Sequence, residues 1–302
     1  MYQTRTISEL QVIGIRYWET EPAENDDCCV SSYLETGIFS SIEVPFHFIE
    51  PKFPEERRLP QEVDNLAIFG GIIADAIADA YRKNMAVLIA GGDCNTSPAV
   101  LGGMQDVLGA GARIGLIWFD AHGDFNTAKT STTNFLGGMP VAVMCGLTHP
   151  NWRMGAHIKA PLPTDRIVLV NVRDLDPLEK ALINATDAVI AAPAAGFPGS
   201  DLKQAVTELA NKCDVLYLHF DADVLDESYL RNYPALTVPD GPNPDQLAQA
   251  IDCVMATGKV AVFSFVSADC GGENPEPAMK AFHQILSSGL RSWKRYGNRV
   301  QV

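Results

Sequence analysis

The apolar positions change their period several times along the chain, and each change predicts an element. From Pro60 onward, Leu66, Phe69, Ile73, Ile77 and Tyr81 recur at steps of three and four, the spacing of one buried helix face. A short apolar run, AVLIA at 86–90, then stops at Gly91-Gly92, as a strand buried on both sides would. Four further runs read the same way: RIGLIWF at 113–119, RIVLVNV at 166–172, DVLYLHF at 214–220 and KVAVFSFV at 259–266. Helix-like segments at 177–185, 201–212 and 243–256 lie between them. Near-continuous apolar strands separated by helices predict an α/β protein of three layers, a central parallel sheet with helices on both faces. Residues 1–60 read as an irregular N-terminal segment, because EPAENDD and the Pro-punctuated VPFHFIEPKFPEERRLP follow neither period. No internal repeat, low-complexity tract or Gly/Ser linker divides the chain, so 1–302 reads as a single domain with its core in 61–302.

Charge and composition narrow the function classes. Thirty-seven acidic residues against 23 basic ones give a net charge of −14, which weighs against nucleic acid or an anionic membrane as partner and fits a cationic small molecule. No stretch of about 18 uninterrupted apolar residues occurs, and the start MYQTRTISEL has no signal-peptide apolar region; a soluble, cytoplasmic protein is expected. The seven cysteines (28, 29, 94, 145, 213, 253 and 270) are odd in number and scattered, and read as reduced thiols. The Gly-Gly pairs at 102–103, 137–138 and 271–272 lack dinucleotide-loop spacing and read as turns.

In parallel sheets, ligands bind at the carboxyl ends of the strands, and three predicted strands end in polar clusters. They are Gly91-Gly92-Asp93-Cys94-Asn95, Asp120-Ala121-His122-Gly123-Asp124-Phe125-Asn126 and Asp221-Ala222-Asp223-Val224-Leu225-Asp226. In extended chain, Asp120, His122 and Asp124 share one face, as do Asp221 and Asp223. Six candidate ligands therefore converge: Cys94, Asp120, His122, Asp124, Asp221 and Asp223. Carboxylates with one imidazole suit hard or borderline divalent ions, Mn²⁺ foremost, and bridging carboxylates can hold a pair. A lone DxD is usually a turn feature and a lone buried Cys usually packing; the argument rests on their coincidence at three strand ends.

These segments resemble the ureohydrolases, the family of arginase, agmatinase and formiminoglutamase, whose GGDH, DAHxD and SxDxDxxD motifs occur in this order. Here they stand as GGDC (91–94), DAHGD (120–124) and HFDADVLD (219–226), and VRDLDPLE (172–179) resembles a substrate-contacting arginase stretch. The resemblance covers about residues 60–270 and implies an arginase-like fold and two Mn²⁺ ions. Asp120 and Asp221 would bridge the ions; His122 and Asp223 would complete one site, and Cys94 and Asp124 the other. It implies hydrolysis of a linear amidine C–N bond by metal-activated water, with Asp124 aiding the tetrahedral intermediate alongside Asp120 and Asp221. Asn126, Thr133, Asp176 and Glu179 match substrate-contacting positions, with Asp176 toward the α-amino group. Relatives are often trimers or hexamers, so a homo-oligomer is possible within the resemblance.

The pattern departs from arginase at four places. Cys94 stands for a histidine ligand, Gly137 for a proton-shuttle histidine, Phe135 for a carboxylate-binding asparagine, and Ser267 for a guanidinium-pairing glutamate; Asp269 and Glu273 are nearby substitutes for the last. A branch known from cycloserine biosynthesis, which cleaves Nω-hydroxy-L-arginine to hydroxyurea and ornithine, also carries this Cys. It shares the look of HGDFNT (122–127), LGGM (136–139), MCGL (144–147) and TVPDG (237–241). A less basic N-hydroxyguanidine would need neither shuttle nor counter-carboxylate, so a guanidino or N-hydroxyguanidino amino acid is the expected substrate. The alternatives are an agmatinase- or formiminoglutamase-like hydrolase, or a non-catalytic homologue acting as a binding or regulatory protein. His47, His149, His157 and His283 read as surface or packing residues, His219 as pointing away from Asp221, and Trp152 and Arg153 as candidates for rim contact.

Overall fold

The computed structural model describes residues 1–24, 28–192, 196–230, 237–270 and 275–301; Gly271, Gly272, Glu273 and the end of the acidic run Glu24–Asp27 fall outside them. In chain order the strands are β1 (Tyr2–Arg5), β2 (Leu10–Ile15), β3 (Tyr17–Trp18), β4 (Glu21–Pro22), β5 (Phe46–Ile49), β6 (Ala86–Gly91), β7 (Ile114–Phe119), β8 (Ile167–Val170), β9 (Val189–Ala191), β10 (Val215–Asp221), β11 (Val260–Val266) and β12 (Asn298–Gln301). The helices are α1 (Val30–Glu35), α2 (Glu62–Arg82), α3 (Ser97–Leu108), α4 (Pro140–Met144), α5 (Pro150–Gly155), α6 (Pro177–Asn184), α7 (Gly199–Lys212), α8 (Pro244–Met255) and α9 (Glu276–Tyr296). Eight strands among the described residues form one parallel sheet in the order β5-β2-β6-β11-β10-β7-β8-β9. Every residue of β2, β6, β7, β10 and β11 is buried, as a sheet covered on both faces requires.

The chemistry depends on the middle of this order. Strands β6, β11, β10 and β7 are neighbours, and all point the same way, so their carboxyl ends open onto one edge. Helix α2 starts with Glu62 and Asp64 and ends with Arg82, charges that suit its dipole, and buries Leu66, Phe69, Ile73, Ile77 and Tyr81.

Four expectations change. The segment 1–60 is not irregular: β2 sits inside the sheet between β5 and β6, its six residues, LQVIGI, too few for a period to register. Gly102 and Gly103 lie within α3 rather than a turn, because a Cβ at 102 would stand 1.7 Å from the Ala156 carbonyl oxygen and one at 103 would be 2.7 Å from that of Ala74. Trp152 is fully buried, packed with Leu66, Met139 and Val143, so it offers no rim contact. Cys29 and Cys270 form a disulfide with Cα atoms 5.2 Å apart across 241 residues; Cys94, Cys145, Cys213 and Cys253 are free thiols. Helix α9 lies beyond the predicted elements, although Ala281, Phe282, Ile285, Leu286, Leu290 and Trp293 are buried at helical spacing. Among the described residues, no helix is long and apolar enough to cross a membrane.

Candidate metal centre

Each cluster is held by its own local turn. Past β6, Asp93 accepts the Asn95 N–H at 3.0 Å and starts a one-turn 3-10 helix that carries Cys94. Past β7 the chain leaves the strand at once. Asp120 Oδ1 accepts the His122 N–H at 2.6 Å, and Asp124 adopts φ +48°. Past β10, Asp221 Oδ1 accepts the Asp223 N–H at 2.8 Å. The convergence therefore comes from carboxylate-capped turns and not from strand alternation. These oxygens shape the turns that carry the candidate ligands.

The structure gathers the side chains into two clusters that share Asp120. In one, Cys94, Asp120, His219 and Asp221 bring their ligand atoms within 4.8 Å of one another, all four buried; in the other, Asp120, His122 and Asp223 do so. Cys94 Sγ lies 2.8 Å from Asp221 Oδ2, 3.9 Å from Asp120 Oδ2 and 3.3 Å from His219 Nε2. His122 Nδ1 is 2.9 Å from Asp223 Oδ2 and 3.4 Å from Asp120 Oδ1, while its buried Nε2 has no partner. Asp124 is buried at the same end but joins neither cluster. A third group, Asp75, Asp106 and His157, is more exposed, and Lys159 already pairs with Asp106 at 2.8 Å.

Two members lay outside the expected set. His219 faces the same side as Asp221, two residues on, as the strand period of two demands, and does not point away. Its ring stacks on Trp118 at 3.5 Å, and Trp118 Nε1 donates to Asp120 Oδ2 at 2.9 Å. Arg173 gathers the loop after β10 from behind, donating to the carbonyls of Val224, Leu225, Val238 and Pro239 at 2.9–3.2 Å. The segments VRDLDPLE and TVPDG stood out in the sequence, but nothing local in either shows that Arg173 ties the two together.

The electrostatics describe a site built for positive charge. Burial, then the charge of Asp223, pushes the Asp221 carboxyl up to about 8; burial and Asp120 raise Asp223 to about 6. Burial and neighbouring carboxylates also raise Asp120 and Asp124. Burial opposes charge on His122, but Asp120 and Asp223 outweigh it and lift the imidazole to about 12. The Cys94 thiol is pushed up by burial and then by Asp221. Crowded carboxylates that resist ionisation become stable once cations neutralise them. The donors fit a pair of divalent ions: shared Asp120, oxygen and imidazole at His122 and Asp223, and a sulfur-bearing set at Cys94.

The other expected residues stand outside the two clusters. Asn126 Nδ2 donates to Asp176 Oδ2 at 3.1 Å, and Asp176 caps α6. Thr133 is exposed in the loop and accepts the Phe135 N–H at 3.2 Å. Glu179 departs from expectation: its oxygens accept the Phe125 N–H at 2.8 Å and the Asp176 N–H at 3.3 Å, so it braces the loop. Phe135, 54% exposed, lays its ring where a side chain at Gly137 would stand, 2.5 Å from a Cβ there. Ser267 Oγ donates to Asp221 Oδ2 at 2.6 Å, and Asp269 is buried; Glu273 lies outside the described residues.

Comparison with known proteins agrees with this architecture. The model of the Arginase family matches residues 42–271. The N(omega)-hydroxy-L-arginine amidinohydrolase of Streptomyces lavendulae is 29% identical over 235 residues, 76% of this chain and 77% of that protein. The arginase of Bacillus caldovelox is 31% identical over 160 residues, 52% of each, so the match to that relative spans about half its length. Among solved structures, Entamoeba histolytica arginase in complex with L-ornithine superposes with a TM-score of 0.80 at 21% identity, covering 94% of this chain and 99% of that one. Formimidoylglutamase from Bacillus subtilis gives 0.71 at 17%, covering 96% and 88%. The chain belongs to the Arginase family, and is a metal-dependent amidinohydrolase of that class. The predicted fold class stands.

Proposed function

We propose that this enzyme hydrolyses a guanidino or Nω-hydroxyguanidino amino acid, with hydroxyarginine, giving ornithine and hydroxyurea, as the favoured substrate. The observation that carries the reading is the pair of buried clusters joined at Asp120. Asp120, His122, Asp221 and Asp223, with Cys94 and Asp124, would hold two divalent ions, Mn²⁺ in relatives. Bound there, such ions make water a nucleophile near neutral pH and stabilise developing negative charge.

The residues around the centre do the rest. Asp176, held by Asn126, is placed to take a substrate ammonium group, and the net charge of −14 favours cations. Asp124, buried near Asp120 and Asp221, would take a proton from the attacking water and pass it to the leaving nitrogen as the C–N bond breaks.

The substrate branch follows from what the rim lacks. Phe135 and Gly137 are one feature: the ring fills the space a histidine at 137 would need, so neither a shuttle at 137 nor a carboxylate-binding amide at 135 is present. The Ser267 hydroxyl is committed to Asp221. An N-hydroxyguanidine, less basic than guanidine, tolerates these losses. Phe135 also favours a second reading, an agmatine-like substrate without a carboxylate. The test is product release by Mn²⁺-loaded enzyme with arginine, Nω-hydroxyarginine and agmatine in parallel. Hydroxyurea from hydroxyarginine, in excess over urea from the other two, supports the proposal. Preference for agmatine selects the second reading, and turnover of none despite bound metal refutes both.

A further inference from the structure

Two departures from the family motifs sit across the centre from each other. At 94, GGDC has a cysteine where the family motif has histidine; at 219, HFDADVLD has a histidine where the motif has serine. The imidazole missing from one side is present on the other, and the structure brings the two residues together, with Cys94 Sγ 3.3 Å from His219 Nε2.

We propose that His219 is a metal ligand of this enzyme, and that Cys94, His219, Asp120 and Asp221 form a sulfur- and nitrogen-bearing site that selects Zn²⁺ over Mn²⁺, leaving Mn²⁺ to the oxygen-rich half at His122 and Asp223. This deepens the reading of the strand ends as a two-metal centre and rests on it.

The geometry suits a small tetrahedral ion. Zinc bond lengths of roughly 2.0–2.3 Å put neighbouring donors about 3.3–3.6 Å apart. The cysteine sulfur lies 3.3, 3.9 and 2.8 Å from the other three donor atoms, and all four atoms lie within 4.8 Å of one another, so shifts of about half an ångström bring the sulfur's three distances into that range. Thiolate and imidazole are ligands that Zn²⁺ takes readily and Mn²⁺ poorly.

The surroundings of His219 are those of a ligand. Its Nδ1 meets three hydroxyls, Ser264 Oγ at 2.9 Å, Ser97 Oγ at 3.0 Å and Tyr217 OH at 3.2 Å, any of which can accept its proton and leave the Nε2 lone pair toward Cys94. Such an outer hydrogen bond is the usual means of fixing the tautomer of a ligating histidine. The stacked Trp118 ring fixes the plane, and the same Trp118 orients Asp120. A merely packed histidine needs one partner for Nδ1, not a stacked ring and an ionisable sulfur at Nε2. On binding, the Cys94 S–H bond breaks, its electron pair goes to the metal and its proton to solvent.

The test is metal selection by the full-length protein, stripped with chelator and equilibrated with one equivalent of Zn²⁺ and an excess of Mn²⁺. The expected outcome is one zinc and one manganese per chain, with a sulfur-to-metal charge-transfer band when Co²⁺ replaces Zn²⁺. His219→Ser should lower zinc affinity by at least about 100-fold while His122-side manganese is retained. His219→Asn, which keeps a polar group of similar reach, guards against loss of fold, checked by thermal unfolding of the metal-free forms. Ser264→Ala should weaken zinc by about 10- to 100-fold. Two manganese ions with no thiolate band, or zinc affinity unchanged in both His219 variants, would overturn this inference and leave the metal centre intact. Failure to bind either ion would overturn the two-metal reading itself.

Discussion

Removing the metals should make stability fall steeply as pH rises. Burial and the charge of Asp223 raise the Asp221 carboxyl from the usual 3.8 to about 8 in the metal-free fold. A carboxyl raised in the folded state contributes its full stability below about pH 4, and that contribution is lost as pH climbs through 8. At about 1.4 kcal/mol per pH unit, the Asp221 proton alone accounts for roughly 4 kcal/mol between pH 5 and pH 8. His122, raised to about 12, acts in the same sense above about pH 6.5. Divalent ions replace these protons with bound charge, so the loaded protein should show a much flatter profile. Asp221→Asn separates the contributions: the amide can still accept from Asp223 N–H and removes the ionisable group, so the metal-free slope should fall by about 1.4 kcal/mol per pH unit between pH 4 and 8. Urea unfolding at pH 5, 6.5 and 8, with chelator and with Mn²⁺, measures all of this. A metal-free protein whose stability is flat or rising over that range, or an Asp221→Asn variant with an unchanged slope, would refute the electrostatic account.

Other perturbations probe separate parts of the site. Trp118→Phe keeps a ring on His219 but removes the donor to Asp120, and should weaken metal binding by about 10- to 100-fold in a competitive chelator titration. Arg173→Met leaves several loop carbonyls without their donor, and should cost about 2–3 kcal/mol in chemical denaturation. Gly137→His forces the exposed Phe135 ring aside and should lower kcat/KM by about 10-fold. Adding Phe135→Asn should recover part of that loss, a non-additivity that independent residues would not show.

The sheet was largely legible because five of its strands are predominantly apolar and bounded by clear breaks; the runs at 86–90 and 259–266 became β6 and β11 almost unchanged. Strand β2 was not, because its six residues, interrupted by Gln11 and set beside a loop-rich stretch, carry too little period. The candidate ligand positions stood out as motifs, but their geometry did not: Asp120 and Asp221 bend the chain through their own side-chain bonds, which an extended-strand reading omits. His219 was the costly miss, although its position two residues before Asp221 already placed it on the same face. Contacts set by the fold across long separations leave no local trace, as with Arg173 to Val238 or Cys29 to Cys270.

The most direct test of the central claim is amidine hydrolysis as metal is titrated into stripped enzyme, with Asp120→Asn measured beside it. Asp120 is the one residue common to both clusters. Product release should rise with bound metal and be lost in Asp120→Asn while circular dichroism shows the fold retained. Metal-independent turnover, or an Asp120→Asn enzyme that keeps its rate, would contradict the account.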